Sequence, residues 1–225
     1  IWTSGATESN NLAIKGAVEF HSRGRAHLIS SRVEHKCVLD ACRWLETTER
    51  KTRVSYLQPD ALGRIEVQQV MDALSPDTLL VSLMWVNNEI GNITDIPVLA
   101  ARLRERGVML HVDAAQAAGK LPINLREVPI DLMSLSAHKL GGPKGIGALY
   151  VRRKPRARVA PQMHGGGHEW GMRSGTLATH QIAGMGAAFA ALTDDYAAHA
   201  ARMRDRLWHA LRELPGVLRN GDPER

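Results

Sequence analysis

Aromatic side chains are scarce in this chain of 225 residues: five Trp, three Tyr and two Phe make up 4%. An interior cannot be built on so few rings, so the core must rest on Ala, Leu, Val and Ile. The densest basic run, Arg152-Arg153-Lys154-Pro155-Arg156-Ala157-Arg158, lacks the interleaved aromatics and the reading motif that nucleic-acid binding wants. It follows a strand-like segment and reads as a solvated turn. Cysteine is rarer still. Cys37 and Cys42 have neither the spacing of a C-x-x-C redox pair nor that of a zinc half-site. They read as small, buried or half-buried side chains in a reducing cytosol, and nothing beside them marks a depressed thiol pKa. No apolar run approaches the length needed to span a bilayer, so no membrane partner is expected.

What is present is ordinary for a globular protein: 44% hydrophobic and 23% charged residues, with a net charge of +6 that permits acidic partners. The length suits one large domain or one and a half ordinary ones. Ile1 stands inside a strand-like start and Gly221-Asp222-Pro223-Glu224-Arg225 reads as a turn, so the chain is expected to be an internal piece of a longer protein.

Strand-like and helix-like segments alternate. Apolar periodicity predicts a helix over 8–23, capped by Thr7 or Ser4, and further helices over 36–45, 66–74 and 96–106. Strands are predicted over 27–30, 54–57, 78–84, 108–112, 131–135 and 146–151. Repeated β-α units with near-continuous apolar strands indicate an α/β fold with a mostly parallel sheet between helices. An Ala-rich helical stretch over 181–214 ends at Pro215-Gly216, and Val217-Leu218-Arg219-Asn220 reads as the first strand of another unit. The division expected is a cofactor-binding large domain over 1–197, incomplete at its N-terminus, then a linker helix and first strand of a small C-terminal α+β domain over 198–225.

The chemically loaded motifs all follow predicted strands, where open α/β sheets bind ligands. Ser4-Gly5-Ala6-Thr7 has the small residues and helix start of an anion site, although helix capping is the commoner use of such residues. His35 follows the second strand and has a flat imidazole that could stack on a ring, or else cap a helix. Asn87 and Asn88 end a buried strand as turn residues or hydrogen-bonding groups, with Asn88 the one assigned to a ligand. Asp113 ends the strand of His111-Val112-Asp113, and Lys139 closes Ser136-Ala137-His138-Lys139 after another. An amine and an acid on separate strand ends are what pyridoxal 5'-phosphate requires. The amine forms a Schiff base, and the carboxylate keeps the pyridine nitrogen protonated. Lys120 and Lys144 compete for the amine role, but Lys139 alone has Ser136 and His138 beside it to take the phosphate. His164-Gly165-Gly166-Gly167-His168-Glu169 lacks any element to fix a metal geometry, so a mobile binding or gating loop is expected and no metal.

Together these stretches resemble the cysteine desulfurases, class-V aminotransferase relatives of pyridoxal-phosphate fold type I, in the branch that supplies iron–sulfur cluster assembly. The carriers are Thr3 to Ser9, Glu34-His35-Lys36, Val86 to Gly91, His111 to Ala114, Ser136 to Lys139 with Gly142-Pro143-Lys144-Gly145, and Met163 to Gly167 through Arg173-Ser174-Gly175-Thr176. The resemblance implies a seven-stranded sheet and a cytoplasmic homodimer acting on L-cysteine. It places Ala6, Thr7, Ser136 and His138 on the phosphate, with Thr176 reaching the phosphate of the partner subunit. His35 would stack on the ring, Asp113 pair with its nitrogen, and Asn88 and Gln116 hold the phenolic oxygen or its neighbours. Lys139 would hold the cofactor and move the substrate α-proton. The persulfide-forming cysteine and the carboxylate-binding arginine are expected outside these residues, and Cys42 matches a helix cysteine. Partners implied are sulfur acceptors such as an iron–sulfur scaffold, with no nucleic acid except through relay proteins of tRNA thiolation. The alternatives are another fold-type-I enzyme (selenocysteine lyase or aminotransferase) or a non-catalytic basic scaffold.

Overall fold

The computed structural model describes residues 1–22, 26–47, 52–193 and 195–224. Its strands are β1 (Trp2–Thr3), β2 (His27–Ser31), β3 (Arg53–Leu57), β4 (Thr78–Met84), β5 (Met109–Asp113), β6 (Leu132–Ser136) and β7 (Gly147–Val151). They form one sheet in the order β1-β7-β6-β5-β4-β2-β3. Pairings from β3 across to β6 are parallel, whereas β7 runs antiparallel to both β6 and β1.

The helices are α1 (Ala6–His21), α2 (Lys36–Thr47), α3 (Val67–Asp72), α4 (Ile96–Glu105), α5 (Thr179–Ala190) and α6 (Asp195–Leu211). Strand alternation sends Leu28, Leu80 and Leu132 to the face covered by α1 and α2, and Ile29, Val81 and Met133 to the face covered by α3 and α4. In α2 the buried residues Val38, Ala41, Cys42 and Leu45 make one stripe, and in α4 Ile96, Leu99, Ala100 and Leu103 do the same. Asp95 caps α4 by accepting the Val98 N–H at 3.3 Å.

A polar pin crosses the middle of the sheet. His111 on β5 is fully buried and meets Ser82 Oγ of β4 at 2.8 Å and Ser134 Oγ of β6 at 2.9 Å. Burial lowers its pKa to about 3, so it stays a neutral bridge and fixes the lateral placement of three strands. Those strands carry the site residues at their C-terminal ends.

Two sequence expectations fail at the far end. Val217–Asn220 forms no strand among the described residues, and Leu218 is 87% exposed. Apolar content alone makes no ladder without a neighbouring edge to pair with. The Asp222 backbone N–H instead donates to Asn92 Oδ1 at 2.7 Å, holding this segment against the sheet domain. The stretch expected as one helix over 181–214 is α5 and α6, separated after Ala190, and none of the described α6 residues is buried. Arg23, the expected end of the first helix, and Arg225, the end of the second expected domain, lie outside the described residues.

Candidate functional site

A cleft of about 520 Å³ opens over the C-terminal ends of β4, β5 and β6. Ala6, Thr7, His35, Asn88, Asp113, Gln116, Ser136, His138 and Lys139 all line it, as do Cys37 and Lys144. Thr176 is outside this lining and is exposed to solvent.

One end of the cleft is built to receive an anion. The expected cap by Ser4 or Thr7 does not form: Gly5 is the N-cap of α1 and no side chain caps the helix. The reason is geometric. Gly5 holds the N-cap position with φ +151°, which L side chains rarely adopt, and glycine has no side chain to cap with; just before it, the Ser4 N–H is taken by Glu8 Oε2 at 2.6 Å. First-turn amides such as those of Ala6 and Thr7 have no intrahelical acceptor, so they face the cleft together with the positive end of the helix. Gly147 permits this approach, because a Cβ there would lie 2.6 Å from Gly5 Cα. Ser136 Oγ meets His138 Nδ1 at 2.8 Å beside them. The His138 pKa is lowered by burial first and then by the neighbouring Lys139 and Lys144 charges.

Glu8 also holds the loop after the glycine run. Its Oε1 accepts from Arg173 Nε at 2.7 Å. Burial works to raise the Glu8 pKa, but the hydrogen bonds from Arg173 and Ser4 outweigh it and the carboxyl sits below its usual range. Neither His164 nor His168 lines the cleft, and no metal-binding group of three side chains occurs among the described residues.

The other end carries the acid. Asp113 is 6% exposed; its Oδ1 accepts from the Ala115 N–H at 3.0 Å and its Oδ2 from Asn10 Nδ2 at 2.7 Å. Burial raises its pKa, and the two hydrogen bonds and nearby His35 oppose the rise. His35 Nδ1 accepts the Cys37 N–H at 3.2 Å and lies 2.9 Å from Cys37 Sγ. Asn87 is absorbed by the turn, taking the Glu89 and Ile90 N–H groups on its Oδ1, so Asn88 is the asparagine left to line the cleft.

Lys120 is anchored on Gln116 Oε1 at 2.8 Å, and its pKa is lowered by burial and then by Lys139. Lys139 makes no hydrogen bond or ion pair among the described residues, and it follows β6 directly in a short helical turn, Ala137–Leu140. A cleft with open helix amides and lysines at one end and a buried carboxylate at the other fits a group that carries an anion and a protonatable ring nitrogen. Pyridoxal phosphate has both.

Sequence reasoning missed two groups here. Asn10 shares the inner face of α1 with Ala13, Ile14 and Ala17, and a polar residue inside that apolar stripe was the available signal. Glu34 is buried behind the cleft, where its Oε1 accepts from Ser31 Oγ at 2.8 Å and the Met84 N–H at 3.0 Å. Burial pushes its pKa up to about 8. An unfolded glutamate titrates at about 4.3, so the native state binds more protons between there and about 8, and stability falls as pH rises through that window. Glu34→Gln should therefore stabilise the full-length protein by a few kcal/mol at pH 7.5 and by little at pH 4.5. Urea unfolding at both pH values checks it; an equal effect at each would assign the change to packing.

Such a cleft, on a mostly parallel sheet with an antiparallel edge, defines an α/β protein with a helix start, lysines and a buried acid gathered at the strand ends. The chain belongs to the class-V aminotransferase family, whose sequence pattern (Aminotransferase class-V) matches residues 1–225. It is 56% identical over 227 residues to the cysteine desulfurase IscS of Acinetobacter baumannii strain SDF, covering 99% of this chain and 56% of that protein. Among solved structures it is similar to DndA from Streptomyces lividans, with TM-score 0.92 and 44% identity, covering 100% of this chain and 64% of that one. It is also similar to SspA in complex with cysteine, with TM-score 0.84 and 42% identity over 93% of this chain and 60% of that one. The expected fold class is thereby borne out, and the chain spans about half the length of the curated relatives it matches.

Proposed function

We propose that this chain is the cofactor-binding part of a cysteine desulfurase. The reaction takes L-cysteine and an enzyme thiol to L-alanine and an enzyme persulfide, which feeds iron–sulfur cluster assembly and related sulfur transfer. The observation that carries this reading is one cleft holding Lys139, Asp113 and the uncapped start of α1 together. Similarity to IscS proteins and to a cysteine complex supports the choice of substrate.

Pyridoxal phosphate, when bound, supplies a ring that accepts electron density from the substrate α-carbon. Lys139 Nζ would hold it and then carry the proton at that carbon; Lys144 also lines the cleft, so the choice between them belongs to this proposal. Asp113 would keep the ring nitrogen protonated, and His35 would cover a face of the ring. Ala6, Thr7, Ser136 and His138 would bind the phosphate, while Asn88 and Gln116 hold the phenolic oxygen. Thr176, exposed and outside the cleft, would serve a second subunit's phosphate, which makes the working unit a homodimer.

Neither cysteine present is a ready thiolate, although Cys37 lines the cleft. Cys42 is buried in α2 with its thiol pushed up to about 12 by burial, and burial raises the Cys37 thiol too. The persulfide-forming cysteine is therefore proposed to lie in the rest of the protein, in a domain reached through residues 198–225, and the enzyme to work in the cytoplasm with sulfur-acceptor proteins. No helix among the described residues is long and apolar enough to cross a membrane.

The test is full-length protein loaded with pyridoxal phosphate, L-cysteine and a thiol reductant. Alanine and sulfide should appear in equal amounts. Bound cofactor with neither product would reject desulfuration, and amino transfer to a 2-oxo acid would favour the aminotransferase reading.

A further inference from the structure

Asn10 is an unusual residue for the interior face of α1. It is completely buried, and its Oδ1 has no hydrogen-bond partner among the described residues. A buried oxygen without a donor weakens a fold, so packing alone does not account for an amide at this position. What the amide supplies is its nitrogen. Nδ2 donates to Asp113 Oδ2 at 2.7 Å and also stands 3.2 Å from Cys37 Sγ, which itself lies 2.9 Å from His35 Nδ1. The orientation follows from chemistry: an ionised carboxylate only accepts, and an amide oxygen turned toward it would be repelled.

Asp113 is thus gripped on both oxygens, by the Ala115 N–H on Oδ1 and by Asn10 on Oδ2. With one grip removed, the carboxylate could pivot about its Cβ–Cγ bond. Asn10 comes one helical turn after Ala6, about 6 Å along the axis. One rigid helix therefore offers its first amides to the anion end of the cleft and a side chain to the acid end.

We propose that Asn10 is a positioning residue that fixes the Asp113 carboxylate for the cofactor's ring nitrogen and keeps it ionised there. The inference rests on the pyridoxal-phosphate reading above. It extends that reading to a residue that does not touch the cofactor.

The test measures the dissociation constant of pyridoxal phosphate for full-length wild type, Asn10→Leu and Asn10→Asp by absorbance titration from pH 6 to 8.5. Asn10→Leu keeps the branched outline without the donor and should bind about tenfold more weakly across the range. Asn10→Asp sets a second carboxylate against Asp113 and should bind more weakly still at pH 8.5. As the pH falls and that carboxyl takes up a proton, its O–H can donate as the amide did, so the ratio of its constant to wild type should fall toward one. Glu34, His35 and Cys37, the titratable groups around Asp113, are present in all three proteins. Cys37 loses its Asn10 contact in both variants, so a pH effect shared by Asn10→Leu and Asn10→Asp belongs to Cys37 and only the difference between the two reports on the new carboxyl.

Wild-type affinity in Asn10→Leu, or a pH-independent ratio in Asn10→Asp, would overturn the proposal. So would loss of folding in both variants, which would make the amide a determinant of the fold. If wild type itself bound no pyridoxal phosphate, the failure would lie in the underlying reading, and the role of Asn10 would fall with it.

Discussion

Lys139→Ala should leave full-length protein folded and deprive it of any borohydride-fixable cofactor, with cysteine turnover reduced by about 10⁴-fold or more. Folding should survive because the side chain is exposed and makes no hydrogen bond among the described residues. The turnover loss is expected to be large because one amine is proposed to perform two tasks, holding the cofactor and moving a proton at the substrate carbon. Lys144→Ala is the control: it lines the same cleft but should keep the fixed adduct and most turnover. Mass spectrometry of the reduced, digested protein checks both. An adduct on Lys144, or one that persists in Lys139→Ala, would move the cofactor's attachment site.

Asp113→Asn should give a folded protein that still takes up cofactor but exchanges the α-hydrogen of cysteine about 10²–10³ times more slowly. The substituted amide cannot hold a positive charge on a ring nitrogen as a carboxylate can. Local packing should adapt, because Asn10 can turn its amide over and present the oxygen that has no partner in the native arrangement. Washout of deuterium from the α-carbon of labelled cysteine measures the step directly. An unchanged washout rate would remove Asp113 from the chemistry and leave it a structural acid.

Much of the fold was legible because the strands alternate between two covered faces. Leu28 and Ile29, or Leu80 and Val81, lie in different halves of the core, so the apolar runs marked strands to within about a residue. The cleft was legible for a related reason. Motifs that follow parallel strands converge at one edge of a sheet, and Ala6, His35, Asn88, Asp113 and Lys139 do so. The reversal at β7 left a fainter trace: the link from Ser136 to Gly147 is shorter than the dozen or so residues a parallel crossover needs.

Other features depend on tertiary surroundings that no local pattern encodes. Glu34 reads as a surface acid beside His35 until the Met84 amide and Ser31 hydroxyl close over it. Val217 to Asn220 has strand-forming residues but no ladder to join, and the partner of Asn10, Asp113, lies a hundred residues away in the chain. The open start of α1 was ambiguous for another reason. Capping and anion binding draw on the same residue types, and only the Gly5 conformation separates them.

The antiparallel strand β7 has a consequence for the order of assembly. Trp2 and Thr3, which lead into the anion loop, pair with Ala148 and Gly147, far along the chain. During synthesis the anion loop must therefore wait, unsupported on this side, until Gly147 and Ala148 have left the ribosome. Completion of the anion loop is thus tied to the emergence of β7, and nascent chains halted before that strand are expected not to take up pyridoxal phosphate.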